Sequence, residues 1–178
     1  SCGDVIFVTG TLGDAALGLS LQREPQAFAN VLTSGDAGFL TGRYLRPAPR
    51  IGLAPLLLEF ASGALDISDG LAKDLNRLAV GADSHARVAF DALPLSPPAR
   101  TMIATAPHLV SAVISGGDDY EILFAVPSER EDDLKAASAS LPFNVTRIGE
   151  LNSGVGVSII DAQGAEMPLG VGGYDHFA

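Results

Sequence analysis

The chain has 178 residues, of which 47% are hydrophobic, and its formal net charge is −10 at pH 7. This length and composition are sufficient for a buried core and for one domain of ordinary size or two very small ones. No basic stripe is present to neutralise a phosphate backbone, so the charge excludes nucleic acid as a partner.

Membrane insertion and secretion are not supported by the sequence. It contains no run of eighteen apolar residues, and no basic region followed by an apolar one opens the chain. The lone Cys2 cannot form a disulfide within the chain, which fits a cytoplasmic location. A carboxylate and a phosphate oxygen 4 Å apart repel by roughly 4 kcal/mol at an effective dielectric near 20. A phosphate site on this acidic protein would therefore depend on a divalent cation.

The first elements are a strand and a helix. Residues 4–9 form an apolar, β-branched run that predicts a strand, and residues 15–21 predict a helix. Because the chain opens directly on a strand, we expect that an upstream part is missing. The glycine-rich turn at 10–14 has amides that could meet a phosphate, although close packing is the simpler explanation.

The next segment is rich in proline and glycine. Residues 24–38 predict a loop or an irregular helix, followed by a short amphipathic helix over 39–45 and an apolar helix over 51–60. Arg46 and Arg50 flank a Pro-x-Pro sequence between the two helices. They could bind an anion or fix a turn, and we favour the turn.

The sequence from 65 to 75 predicts a strand, a tight polar turn and a helix with Ser68 or Asp69 as its N-cap. The turn would place Ser68 and the carboxylates of Asp66 and Asp69 beside the free N–H groups of a helix start. Carboxylates suit Mg²⁺, and N–H groups suit a phosphate. The alternative is that the polar side chains only cap the helix. Asp66 fits that alternative less well, because it ends an apolar strand.

A second polar cluster follows a predicted strand at 87–90 and a predicted short helix at 100–106. Residues 116–119 predict a turn, and residues 120–126 predict a largely buried strand. Glu121 lies within this apolar run, where a carboxylate needs a partner, so a ligand contact is the preferred interpretation. The two aspartates before it are explained equally well by turn chemistry.

The remaining segments continue the alternation of helices and strands. A charged helix is predicted over 128–141, with Ser128 and Glu131 at capping-box spacing. Strands are predicted over 143–150 and 155–160, joined by a hairpin-like turn at 152–154. Tyr174, in the glycine-rich tail, could stack on a planar ligand or fold back on the core. The pattern as a whole predicts an α/β sandwich.

Five motifs together resemble the thiamine-monophosphate kinase family, within the aminoimidazole ribonucleotide synthetase-related superfamily. In order they are Gly3-Asp4-Val5-Ile6-Phe7-Val8-Thr9-Gly10-Thr11-Leu12-Gly13-Asp14-Ala15-Ala16, Arg46-Pro47-x-Pro49-Arg50, Asp66-Ile67-Ser68-Asp69-Gly70-Leu71, Gly116-Gly117-Asp118-Asp119-Tyr120-Glu121 and Gly173-Tyr174-Asp175-His176-Phe177. Each motif alone is weak, but their order and their span over essentially the whole chain are specific. The resemblance is to the C-terminal half of these enzymes.

The resemblance implies an α/β (α+β sandwich) fold in which a mixed sheet packs against helices, as in the C-terminal domain of aminoimidazole ribonucleotide synthetase. Residues 1–178 would be that single domain, and the N-terminal ATP-binding and dimerisation domain would be absent. The implied reaction is phosphorylation of thiamine monophosphate to thiamine diphosphate by direct transfer from ATP, with Mg²⁺. The implied partners are these two substrates, the N-terminal domain and, at full length, a second copy. The chain alone is expected to be inactive.

By motif match, the resemblance assigns Asp66 and Asp69 to Mg²⁺, Ser68 to ATP, and Glu121 and Tyr174 to the substrate. It assigns no residue a covalent catalytic role. Two alternatives remain open: a superfamily member acting in purine biosynthesis, selenophosphate synthesis or hydrogenase maturation, and a non-catalytic binding module.

Overall fold

A computed structural model describes residues 1–169 of the chain. Within that range the strands are β1 (Val5–Thr9), β2 (Gly63–Asp66), β3 (His85–Ala89), β4 (Ile122–Val126), β5 (Val145–Asn152) and β6 (Gly156–Ile160). The helices are α1 (Asp14–Arg23), α2 (Ser34–Leu45), α3 (Ala54–Phe60), α4 (Leu71–Gly81), α5 (Pro97–Thr105), α6 (Val110–Ser115) and α7 (Glu131–Ser138). None of the helices in this part of the chain combines the length and apolar character required to span a bilayer.

The strands form one mixed sheet in the order β2-β4-β1-β5-β3-β6. All neighbouring pairs are antiparallel except β3 and β6, which run parallel. The predicted α/β architecture, a mixed sheet packed against helices, is confirmed. The hairpin predicted at 152–154 is wrong, because β3 lies between β5 and β6 in the sheet. Two strands that follow one another in the sequence need not be neighbours in the sheet, and their hydrophobic patterns do not show whether a third strand lies between them.

Both faces of the sheet are buried, and β1 shows why. Ile6 and Val8 point into one core, which α4 covers, whereas Val5 and Phe7 point into a second core shared with α3 and α7. Side chains alternate between the two faces of a strand, so all five β1 residues are buried. The ring of Phe7 stacks on that of Phe124 in β4, with centroids 5.7 Å apart.

A third core lies between α1, α2 and α5. Gly18 permits the close approach of α1 to α2, because a Cβ at this position would lie 2.2 Å from the backbone oxygen of Leu40. Helix α2 begins at Ser34, earlier than predicted, since Thr33 and Asp36 form a capping box. The 24–38 segment thus contains the first turns of a regular helix.

Two predicted helix starts are wrong. Ser128 does not cap α7: a single 3-10 turn covers Ser128–Arg130, and α7 follows with Arg130 as N-cap and no side-chain cap. Helix α5 begins at Pro97, capped by Ser96, rather than near residue 100. Proline is compatible with the first helical turn, where its missing N–H would have no partner.

Candidate functional site

The ends of three neighbouring strands lie side by side along one border of the sheet, called this edge below. Strand β4 is antiparallel to both β2 and β1, so its beginning lies beside their ends. Asp66, the last residue of β2, is paired with Ile122, and Val8 of β1 is paired with Leu123. The topology therefore brings together the two polar clusters that the sequence singled out.

Backbone hydrogen bonds join the two polar turns. The Ile67 amide donates to the Glu121 carbonyl at 2.8 Å, and the Tyr120 amide donates back to the Ile67 carbonyl at 2.9 Å. The Asp118 amide donates to the Ser68 carbonyl at 3.0 Å. Gly117 is required at this contact, because a Cβ there would lie 2.2 Å from the same Ser68 oxygen.

The turn after β2 differs from the prediction in its cap. The N-cap of α4 is Gly70, with φ of 107°, so neither Ser68 nor Asp69 caps the helix. The amides of Ser68 and Asp69 instead donate to Oδ2 of Asp74, at 3.1 and 3.0 Å. The buried Asp74 lies in the first turn of α4, and burial raises its pKa above the ordinary value.

The two predicted metal ligands have different surroundings. Asp69 is half-buried and forms ion pairs with Arg77 and Lys73, and the hydrogen bond from Arg77 is the main cause of its lowered pKa. Asp66 is exposed at the end of the edge strand β2, and its carboxylate has no hydrogen bond or ion pair with any described residue. Asp66 is thus directly accessible, whereas both cationic partners of Asp69 bind its Oδ2.

A cleft of about 790 Å³ opens beside these turns. Its walls come from α1, α2, α6 and both polar turns. The lining residues are Ala15, Ala16, Leu19, Ser20, Arg23, Tyr44, Ser68, Asp69, Ala112, Ser115, Gly116, Gly117, Asp118 and Tyr120. Ser68 and Asp69 therefore share one accessible cavity with the Gly-Gly-Asp-Asp-Tyr turn.

Glu121 does not line the cleft; it lies at the centre of a buried ion-pair network. Its carboxylate accepts hydrogen bonds from Thr9 Oγ1 at 2.6 Å, from Arg43 Nη2 at 2.6 Å, and from both Nε and Nη2 of Arg50. The side chain is 0% exposed. Arg50 thus has a long-range partner that the turn interpretation missed. A substrate contact by Glu121 stays a prediction.

The glycine turn before α1 binds an internal carboxylate. Asp119 accepts hydrogen bonds from the amides of Gly13 at 2.7 Å and Ala15 at 3.1 Å. Burial raises the pKa of Asp119 to about 7. The nearby Asp14 is also buried, which raises its pKa, while hydrogen bonds from Ser96 and Thr11 act in the opposite direction. Internal packing therefore accounts for these turn amides.

Asp118 and Tyr120 are candidate ligand contacts that the sequence did not single out. They alternate with the buried Asp119 and Glu121, and both are exposed and line the cleft. Both have left-handed backbone, with φ of 69° and 50°. Such a conformation costs of order 1–3 kcal/mol in a non-glycine residue and is concentrated at functional sites. The signal in the sequence was the pair of glycines that precedes two acids.

The oxygen donors at this edge fit Mg²⁺ shared with phosphates. Mg²⁺ is commonly held by one or two carboxylates together with water and phosphate oxygens, and Asp66 and Asp69 supply that number. Within residues 1–169 no cluster of three or more acidic, histidine or cysteine side chains suits a metal. Tyr174 lies outside the described residues.

Residues 2–162 match the family described as AIR synthase related protein, C-terminal domain, and the chain belongs to this family. Curated relatives include the thiamine-monophosphate kinases of Salmonella typhimurium and Escherichia coli K12, which are 39% and 37% identical over 178 and 176 residues. Each alignment covers 99% of this chain and 53% of the relative. The chain thus spans about half the length of the relatives it matches, and the resemblance seen in the sequence is confirmed.

Solved structures of related proteins have the same fold as this chain. A thiamine-monophosphate kinase from Stenotrophomonas maltophilia superposes with a TM-score of 0.81 at 38% identity, over 89% of this chain and 50% of that one. A structure described as "AaThiL complexed with AMPPCP and TMP" gives 0.76 at 30% identity, over 94% of this chain and 50% of that one. A hydrogenase maturation protein of Escherichia coli, at 21% identity and a TM-score of 0.70, shares the fold.

Proposed function

We propose that the chain is the C-terminal half of a kinase that phosphorylates thiamine monophosphate to thiamine diphosphate, with ATP as phosphoryl donor. The observation that carries the proposal is the cleft where Ser68 and Asp69 meet the Gly-Gly-Asp-Asp-Tyr turn, with Asp66 exposed two residues before Ser68, in a chain that is 37% and 39% identical to two curated thiamine-monophosphate kinases. One solved relative is described as a complex with AMPPCP and TMP. A cytoplasmic location is part of this proposal.

Each residue has a defined role in this proposal. Asp66 and Asp69 would hold Mg²⁺, which would neutralise the phosphate charge beside this acidic protein. Ser68 lines the cleft and its Oγ makes no hydrogen bond with described residues, so it is free to donate to a phosphate oxygen of ATP. The transfer is direct, and catalysis rests on positioning and charge stabilisation.

The contact with thiamine requires an accessible acid and an aromatic face. Asp118 and Tyr120 offer both from the wall of the cleft, whereas the carboxylate of Glu121 is buried against arginines. We therefore assign the direct acidic contact to Asp118 and give Glu121 the role of holding the turn from behind. Tyr174 remains a second aromatic candidate. A planar cation is attracted to the face of an aromatic ring.

The proposal also includes a missing partner domain. An N-terminal domain would complete the nucleotide site. The full-length protein would be a homodimer, and the same domain would supply its subunit interface. This chain would then form one wall of the site and would be inactive alone. A superfamily member with another substrate is the second candidate, and the fold shared with the hydrogenase maturation protein is consistent with it.

The test is a chimera of this chain with the N-terminal half of the Escherichia coli relative. In a coupled assay of ADP release with thiamine monophosphate, ATP and Mg²⁺, the chimera is expected to turn over and the chain alone is not. Turnover by the chain alone would contradict the missing wall. A folded chimera that is stabilised by purine intermediates, and not by thiamine monophosphate, in a thermal-shift screen would overturn the substrate assignment.

A further inference from the structure

Asp74 occupies a position beneath the Ser68–Asp69 turn that no requirement of the core explains. It is 0% exposed, and its neighbours on the same helical face, Leu71 and Leu78, are buried apolar residues. An isolated carboxylate in such a place is strongly unfavourable unless it is hydrogen-bonded. A leucine or alanine would satisfy the packing of α4 without this cost.

The hydrogen bonds of Asp74 show what it holds. Oδ2 accepts the backbone amides of Ser68 at 3.1 Å and of Asp69 at 3.0 Å. These residues precede the N-cap Gly70, which has no side chain, so Asp74 reaches back across the helix start. The carbonyl of Ser68 is fixed in turn by the amide of Asp118. The peptide groups on both sides of Ser68 are thereby held, while its hydroxyl is left to the cleft.

Oδ1 of Asp74 extends the contact to a second side chain. It accepts a hydrogen bond from Arg77 Nη1 at 2.6 Å, and Nη2 of the same guanidinium donates to Oδ2 of Asp69. Arg77 therefore bridges the buried carboxylate and the half-buried one. Because the guanidinium is planar and presents its donors in a fixed fork, it couples the position of Asp74 to that of the Asp69 carboxylate, whose Oδ2 also contacts Lys73 Nζ at 3.2 Å.

We propose that Asp74 is the positioning residue of this site. It fixes the Ser68–Asp69 turn through two backbone amides, and it orients the Asp69 carboxylate through Arg77. The geometric part depends only on this chain, whereas its effect on ATP use rests on the function proposed above. Residues that orient ligand-bearing groups typically change metal affinity or activity by 10- to 100-fold when substituted.

Amide hydrogen exchange measured by NMR on this chain tests the geometric part. Asp74→Ala is expected to accelerate exchange at Ser68 and Asp69 by about tenfold, because one hydrogen bond is lost at each amide. Asp161→Ala is the matched control: Asp161 Oδ1 likewise accepts two backbone amides, from Gln163 and Ala165, but outside this cleft. Exchange at Ser68 and Asp69 within twofold of the unmodified chain would overturn the proposal.

Two further variants separate positioning from folding. Asp74→Asn keeps an oxygen for the two amides and is expected to restore their protection, and Arg77→Gln is expected to leave that protection intact. Should Asp74→Ala fail to fold, these two carry the test. The assignment would be contradicted if the Ser68 amide lost its protection from exchange in Arg77→Gln. It would also be contradicted if a folded Asp74→Asn retained no protection at the Ser68 and Asp69 amides.

The chimera tests the effect on ATP. Asp74→Asn and Arg77→Gln are both expected to raise the KM for ATP by about 10-fold or more, with the KM for thiamine monophosphate changed less than about twofold and Asp161→Ala without effect. An equal rise in both KM values would indicate a general structural role and overturn the positioning claim. An inactive unmodified chimera would refute the proposed function while the exchange data still decided the role of Asp74.

Discussion

Arg50 and Glu121 form a two-point ion pair inside the protein, with Arg50 Nε donating to Oε2 at 2.6 Å and Nη2 donating to Oε1. Arg43 donates to the same carboxylate, and both arginine side chains are less than one-sixth exposed. This network joins the segment after α2 to the start of β4, behind the wall of the cleft. It leaves Glu121 buried, whereas Asp118 is exposed.

Because only one of these two acids is buried, their substitution is expected to affect stability differently. Glu121→Gln is expected to lower the free energy of unfolding by about 3–5 kcal/mol, because two largely buried arginines lose their counterion. Asp118→Asn is expected to change it by no more than about 0.5 kcal/mol, as for other exposed positions. Urea unfolding of both variants provides the measurement.

The same pair distinguishes the two substrate assignments. In the chimera, Asp118→Asn is expected to raise the KM for thiamine monophosphate, since it removes the accessible acid. If Glu121→Gln remained as stable as the unmodified protein and raised that KM while Asp118→Asn left it unchanged, the direct contact would belong to Glu121.

Asp119 provides a prediction on pH. Its pKa is about 7 in the folded protein, whereas an unperturbed aspartate titrates near 3.8. The folded state therefore retains the proton that the unfolded chain releases. The stability from this group is fully present below about pH 4, falls as pH rises, and is lost above about pH 7.

Asp119→Asn is expected to remove this slope. Relative to the variant, the unmodified chain should lose about 2–3 kcal/mol between pH 5 and pH 7, at 1.36 kcal/mol per pKa unit. Chemical unfolding at a series of pH values measures it, with Asp161→Asn as the control that keeps the slope. Parallel curves for the chain and Asp119→Asn would show that Asp119 is ionised throughout.

Gly117 tests the contact between the two polar turns. A Cβ at this position would lie 2.2 Å from the Ser68 carbonyl oxygen, so Gly117→Ala is expected to separate the turns and cost about 1–3 kcal/mol. Gly42, in α2, has open space around the same position, and Gly42→Ala should stabilise the helix by roughly 0.5–1 kcal/mol. Thermal unfolding of the two variants compares them, and equal shifts would show that the turns are not in close contact.

Much of the site was readable from the sequence because its signals are local. The strand, turn and helix around Asp66 follow from an apolar run, a polar cluster and helical spacing, and the structure contains them in that order. The cap was wrong because Ser68 and Asp69 are common capping types, whereas the amides are held by Asp74 from inside the helix. Local preference cannot reveal a side chain that reaches back across a helix start.

Contacts between residues far apart in the chain could not be predicted from the sequence, for a different reason. Arg50 and Glu121 are 71 residues apart, and only the antiparallel pairing of β4 with β1 and β2 brings the start of β4 to the edge. Which acid faces the cleft also depends on the left-handed backbone at Asp118 and Tyr120. Neither tertiary pairing nor a strained φ at a non-glycine residue leaves a periodic signal in the chain.

Asp66→Asn in the chimera with the Escherichia coli N-terminal half tests the central claim most directly. Asp66 is exposed and has no partner among the described residues, so the substitution should leave the free energy of unfolding within about 0.5 kcal/mol. Turnover of thiamine monophosphate is expected to fall by about 10- to 100-fold or more, with partial recovery as Mg²⁺ is raised. Turnover equal to that of the unmodified chimera would contradict the account, because it would show that Asp66 is not needed for Mg²⁺ or ATP.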